Sequence, residues 1–258
     1  MKAIVTGASS GLGRDMARVL SKKGYDIIAV ARREERLIEL QKELETNVEI
    51  VCMDITDREN CLKLSKRAGE VDIFINNAGF GVFGNFDETD LESELKMIDT
   101  NIKSVHILTK LFAKEFKKKN SGRILNVASL ASFFPGPLFA SYYGTKSYVL
   151  RFSQSIQEEL RQAKSKAKIS VLCPGPVNTE FGDVAKVSFG SGNEKGKSLI
   201  VLESKDVAEY AIKKMLSGKE VIIPGFLMKV AVFMRHILSD KLLAKAAYIL
   251  QSSKVVKK

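Results

Sequence analysis

The chain has little of what a metalloenzyme or a disulfide-stapled protein needs. Only two histidines are present, His106 and His236, and no His-Glu-x-x-His cluster, which argues against zinc chemistry and predicts no metal site. Three cysteines, Cys52, Cys61 and Cys173, have neither metal-ligand nor disulfide spacing, which suits a reducing compartment. No charged region followed by a long apolar stretch and a cleavage site opens the sequence. Met1 and Lys2 run straight into a strand-like segment, so secretion is disfavoured and a cytoplasmic location is expected. No Gly/Ser- or Pro-rich linker and no internal repeat interrupts the 258 residues, which one large domain accommodates.

What is abundant is positive charge: 41 basic against 30 acidic residues, a formal charge of +11. Such an excess favours nucleic acid, anionic lipid or a phosphorylated ligand. The basic residues do not form one block interleaved with aromatics, as a single-strand binder requires, so no nucleic-acid partner is expected. They lie in helix-like stretches such as Lys117, Lys118 and Lys119, or Arg161, Lys164, Lys166 and Lys168, where a solvated face is the plainer reading.

Apolar runs alternate with amphipathic ones. Lys2 to Thr6 reads as a first strand, followed by the glycine-rich break from Gly7 to Gly13. Met16, Ala17, Val19 and Leu20 then fall at helical spacing until Gly24. Further strands are expected at Tyr25 to Val30, Val48 to Met53, Val71 to Ile75, Gly122 to Val127, Lys168 to Cys173 and Glu220 to Ile223. Helices are expected at Glu34 to Leu44, Asp57 to Arg67, Tyr142 to Ala163 and Asp206 to Leu216. Leu91 to Lys118 carries helical periodicity best divided into two helices. Continuous apolar strands separated by helices predict an α/β fold, a doubly wound parallel sheet of about seven strands flanked by helices. Ligands of such sheets bind beyond the carboxyl ends of the strands, where every motif described next is placed.

Gly7, Gly11 and Gly13 follow the first strand and open the first helix. Glycines permit a tight turn close to a pyrophosphate, and the helix N-terminus offers free N–H groups and partial positive charge. The run Thr6-Gly7-Ala8-Ser9-Ser10-Gly11-Leu12-Gly13 resembles the cofactor loop of short-chain dehydrogenases/reductases. Asn76-Asn77-Ala78-Gly79 and Tyr142-x-x-x-Lys146 resemble that family's later motifs, in order and spacing over about residues 1–225.

The resemblance implies a Rossmann-like fold and a dinucleotide held by Gly7, Ser9, Ser10, Gly11, Leu12 and Gly13. NAD enzymes place an acidic residue at the end of strand two to meet the ribose hydroxyls. This chain has Ala31, Arg32 and Arg33 instead, and two guanidinium groups suit a 2′-phosphate, so NADP is expected. Asp54 resembles the residue aimed at the adenine, with Ile55 beside it. Asn77, Ala78 and Gly79 are expected near the adenosine ribose. Pro174-Gly175-Pro176-Val177-Asn178-Thr179 resembles the loop beside the nicotinamide, with Val177 at the carboxamide and Thr179 reaching the pyrophosphate.

Tyr142 and Lys146 share a helix face, about 40° apart at 3.6 residues per turn. Tyr143 also neighbours Lys146, but the family's serine-to-tyrosine spacing from Ser129 selects Tyr142. By resemblance, Tyr142 is the acid–base, and Lys146 lowers its pKa and contacts the nicotinamide ribose. Ser129 polarises the substrate oxygen, and Asn101 kinks a helix and positions a water for proton relay.

Eight of the fourteen phenylalanines fall in loops after strands: Phe80, Phe83, Phe86, Phe133, Phe134, Phe139, Phe181 and Phe189. They suggest a bulky apolar carbonyl or alcohol as substrate. Phe181 to Ser198, rich in Gly and Ser, reads as a lid over the cleft. After Gly225 the chain departs from the usual family ending. Residues 226–258 read as an amphipathic helical extension packed on the 1–225 domain. It closes the pocket, forms a subunit contact or lies on a membrane surface, and it is too charged to span a bilayer. The family's dimer contact, through helices near Asn101 to Lys118 and Tyr142 to Arg161, makes a homodimer the expected assembly. A dinucleotide-sensing or membrane-associated scaffold without turnover is the alternative function.

Overall fold

The computed structural model describes residues 1–182 and 201–252. Phe189 and most of the expected lid lie outside the described residues. The strands and helices alternate as β1 (Lys2–Thr6), α1 (Gly11–Lys22), β2 (Asp26–Ala31), α2 (Glu34–Glu43), β3 (Val48–Cys52), α3 (Arg58–Ser65) and β4 (Ile73–Asn76). There follow α4 (Leu91–Ile98), a π-helical segment (Asp99–Ser104), α5 (Val105–Lys118), β5 (Arg123–Val127), α6 (Ala140–Gln162) and β6 (Lys168–Leu172). The last part holds a short pair, β7 (Val177–Asn178) and β8 (Leu202–Glu203), then α7 (Ser204–Leu216), β9 (Val221–Ile222), α8 (Phe226–Met234) and α9 (Asp240–Ser252).

Seven strands form one parallel sheet in the order β3-β2-β1-β4-β5-β6-β9. This is the expected Rossmann-like architecture. Successive strand residues feed opposite faces, as a period of two requires. Ala3, Val5, Ile27 and Ala29 pack with Met16, Leu20, Leu37 and Leu40 of α1 and α2 and with Ile212 of α7. Ile4, Ile28, Val30 and Phe74 pack on the other face with Leu64 of α3 and Phe112 and Phe116 of α5. Phe74 and Phe112 stack with centroids 3.9 Å apart. Both faces are thereby covered, which explains why the strands read as unbroken apolar runs.

Two expectations are revised. Helices α4 and α5 are not separated by a break but joined through the π-helical turn, which leaves Asn101 fully buried. The extension after Gly225 is two helices, with residues 235–239 turning between them. Strand order reverses between β1 and β4, and the crevice beyond their carboxyl ends holds the site.

Candidate active site

The loop after β1 is shaped by sterics. Gly7 sits at φ +67°, open to glycine at little cost. A Cβ on Gly13 would lie 2.3 Å from the Gly7 carbonyl oxygen, so the helix can approach the turn only with hydrogen there. The neighbouring loop after β4 is tied to it. Asn77 and Ala78 N–H groups donate to Thr6 Oγ1 at 2.9 and 3.2 Å, and Asn77 Nδ2 donates to the Thr6 carbonyl at 3.0 Å. The Asn77 side chain is therefore committed to the turn. The first turn of α1 carries no acidic residue, and its N-cap, Ser10, makes no side-chain cap bond. The positive end of the helix thus stands unneutralised, which fits a diphosphate. Thr179 comes close to this turn, since a Cβ on Gly11 would lie 3.1 Å from it.

At the end of β2 the arginines part company. Arg32 is largely exposed and lies 3.7 Å from Asp54, whose carboxylate also accepts from Thr56 N and Thr56 Oγ1 at 2.9 and 2.8 Å. Ile55 is buried in the core beneath. Arg33 instead donates to the Ser10 hydroxyl at 2.9 Å and to Glu180 at 3.1 Å. Arg36, one helical turn on, donates to the same Glu180 carboxylate. Neither Arg36 nor Glu180 stood out in the sequence. The spacing of three between Arg33 and Arg36 was a readable signal, whereas Glu180 arrives from 147 residues away and gave none.

Tyr142 occupies the first turn of α6, 7% exposed, with its ring stacked on Phe139 at 4.5 Å. Lys146 lies beneath, its Nζ 5.7 Å from the Tyr142 ring centroid and donating to the Val127 carbonyl at 3.0 Å. Ser129 leaves β5 as the N-cap of the 3₁₀ turn Leu130–Phe133, and its Oγ accepts from Ala131 N at 3.1 Å. Asn101 Oδ1 accepts from Phe80 N at 3.2 Å, while Nδ2 donates to the Phe80 carbonyl at 2.9 Å and to Thr145 Oγ1 at 3.1 Å. Gly79 separates the two: a Cβ there would lie 2.9 Å from Asn101 Oδ1 and 3.3 Å from Lys146 Nζ. Four side chains from three elements, α6, the π-helical turn and the 3₁₀ turn after β5, thus converge on one end of the sheet.

Burial dominates the electrostatics. It raises the Tyr142 phenol well above its ordinary value, with Ser129 pulling modestly the other way. It lowers the Lys146 ammonium to about 8.

The wall beside Tyr142 is aromatic. Phe80, Phe83, Phe139, Tyr143 and Phe181 cluster with Met97. Phe86 is exposed, and Phe133 packs elsewhere, under the Arg235 guanidinium of the C-terminal segment. That segment also reaches the wall: Gln251 Nε2 donates to Tyr143 Oη at 3.0 Å, although Gln251 is itself buried. Pro174 and Gly175 lie at the same edge. The Pro174 carbonyl accepts from Leu130 N at 2.8 Å, and Gly175 lies against Met228 of α8. Val177 pairs with Leu202 in the short β7–β8 ladder.

The profile of the short chain dehydrogenase family matches residues 1–186. An NADP-dependent 3-hydroxy acid dehydrogenase of Escherichia coli is 31% identical over 216 residues, 81% of this chain and 86% of that protein. A short-chain dehydrogenase of Sphingobium yanoikuyae, solved with NADPH, is 26% identical with a TM-score of 0.78, covering 93% of this chain and 95% of that one. A short-chain dehydrogenase/reductase of Burkholderia phymatum, solved with NAD, shares the fold at a TM-score of 0.81, with 24% identity over 92% of each chain.

Proposed function

The chain belongs to the short-chain dehydrogenase family, and on that premise we propose that it is an NADP-dependent oxidoreductase of bulky apolar carbonyl or alcohol substrates. The observation that carries this reading is the convergence of Tyr142, Lys146, Ser129 and Asn101 on the crevice where the glycine turn also opens. The residues fit the dinucleotide: an uncapped helix end stands ready for the diphosphate, and Arg33 and Arg36 offer positive charge at the end of β2. Gly7, Gly11, Leu12 and Gly13 would hold the diphosphate, with the Ser9 and Ser10 hydroxyls turned to Arg33 at the adenosine end. Asp54, Ile55, Asn77, Ala78 and Gly79 would flank the adenosine, and Pro174, Gly175, Val177 and Thr179 the nicotinamide end. When bound, the nicotinamide supplies hydride in reduction and accepts it in oxidation.

The protein's own groups then handle the proton. Tyr142, held protonated by burial, gives its phenolic proton to the alkoxide oxygen as it develops, and in oxidation takes it back. Ser129 Oγ holds that oxygen in place. Lys146 supplies positive charge below the phenol, and Asn101 locks the loop at Phe80 to α6. The Phe80, Phe83, Phe139 and Phe181 wall excludes water and favours an apolar substrate.

The test is oxidation of NADPH and of NADH with a panel of bulky ketones. NADPH is expected to be preferred, and Tyr142→Phe to lower turnover by about 10²- to 10⁴-fold without loss of fold. Full activity in the variant would remove Tyr142 from the mechanism. A preference for NADH would overturn the cofactor reading.

The partners belong to the same proposal. Leu91, Leu95 and Ile98 lie exposed on one side of α4, an apolar face next to the expected α5–α6 contact that supports a homodimer. We read residues 226–258 as an extension of the 1–225 domain, of which 226–252 are described. Phe226, Leu227, Phe233, Ile237 and Ile249 are exposed there, interleaved with Lys229, Arg235, Lys241 and Lys245. That composition supports contact with an anionic membrane surface. No helix among the described residues is long and apolar enough to cross a membrane. Three free cysteines support the cytoplasmic reading.

A further inference from the structure

Arg33 is the N-cap of α2 and Arg36 lies in its first turn, so the two side chains leave one side of the helix. Both close on a single carboxylate. Arg33 donates from both terminal nitrogens to Glu180 Oε2 at 3.1 Å, and Arg36 donates to Glu180 Oε1. The same Arg33 nitrogen reaches Ser10 Oγ at 2.9 Å and Ser9 Oγ at 3.3 Å. The Arg36 and Arg33 guanidinium groups hold the Glu180 carboxyl below the usual carboxylate range, so it is an anion at neutral pH. Two guanidinium forks and two hydroxyls in one cradle are what a phosphate monoester requires. An anion is already in it.

We infer that Glu180 is a built-in competitor for the 2′-phosphate of NADP, its carboxylate filling the Arg33–Arg36 cradle until the phosphate displaces it. The inference rests on the NADP reading of the site. The exchange favours the phosphate, which brings close to two negative charges and three acceptor oxygens against one charge and two oxygens. A ribose 2′-hydroxyl brings no charge and leaves both ion pairs standing. Arg36 becomes, with Arg33, a determinant of cofactor choice, and Glu180 sets how strongly that choice is expressed. An anion entering a cradle that is filled most of the time binds with an affinity reduced by the fraction of time it stands free. Half-exposed ion pairs are individually weak, so the reduction is several-fold.

Calorimetric titration of 2′,5′-ADP and of 5′-AMP into the full chain, without substrate or turnover, tests this. The unsubstituted protein is expected to bind 2′,5′-ADP more tightly than 5′-AMP. Glu180→Gln keeps the shape but removes the charge, and is expected to tighten 2′,5′-ADP by about three- to tenfold while moving 5′-AMP by less than about twofold. Arg36→Ala is expected to weaken 2′,5′-ADP and to shrink the gain from Glu180→Gln, because the competitor has lost one of its partners. Equal affinity of the unsubstituted protein for both nucleotides would overturn the NADP reading and the inference with it. A preference for 2′,5′-ADP that Glu180→Gln leaves unchanged or weakens would overturn the competitor role alone.

Discussion

Lys146 places an ammonium where water scarcely reaches, 5% exposed, with the Val127 carbonyl as its hydrogen-bond partner. Burial lowers it to about 8 from its ordinary 10.5. Between those values the unfolded chain binds more protons than the folded one, so stability rises with pH across that window and is flat below it. Each tenfold loss of proton affinity on folding costs roughly 1.4 kcal/mol while the group stays charged. Lys146→Met is therefore expected to be more stable than its parent at pH 7, by about 1–3 kcal/mol, although it loses activity. The gain should fade as the pH approaches 10. Urea melts at the two pH values measure it, and a variant destabilised equally at both would refute the account. The same titration predicts that carbonyl reduction declines above pH 8, as Lys146 discharges while Tyr142 stays protonated.

At the level of elements, the π-helical turn between α4 and α5 does what a regular helix would not. It leaves Asn101 fully buried with three hydrogen bonds, two to Phe80 and one to Thr145 of α6. Asn101→Ala would leave the half-buried Phe80 N–H without its acceptor and loosen the loop on which Gly79 and Phe80 stand. The expected cost is about 1–3 kcal/mol, read from denaturant midpoints, with a fall in kcat. Unaltered stability would mean that the loop is held by something else. The helical period over 91–118 was plain in the sequence. The wider turn was not, because the packing of Asn101 against two distant segments decides it. Tyr142 and Lys146 were legible for the opposite reason: a spacing of four on one helix fixes their neighbourhood whatever surrounds it.

For the whole molecule, two exposed apolar surfaces face different ways of being covered. Leu95→Glu, placed in the middle of the exposed α4 row, is expected to turn a homodimer into a monomer by light scattering without lowering the melting temperature. Phe233→Glu with Ile237→Glu is expected to abolish co-sedimentation with phosphatidylglycerol vesicles and to spare the dimer. Binding that survives both changes, or that ignores added salt, would contradict a basic amphipathic contact. The inner side of the same extension meets the aromatic wall beside Tyr142 through Gln251 and Tyr143, 108 residues apart. Its composition announced an amphipathic helix. Nothing in it announced that contact.

The amino-acid sequence by itself determined the glycine turn, the alternation that builds a doubly wound sheet, the Tyr142–Lys146 pair and the arginines at the end of β2. Each of these is written within a few residues, in steric allowance, hydrophobic period or helical spacing. Tertiary structure alone decided that Glu180 fills the arginine cradle, that Asn101 is tied to Phe80 and Thr145, and that burial raises the Tyr142 phenol. Those outcomes depend on which distant segments the chain's path brings together and on how little water remains between them.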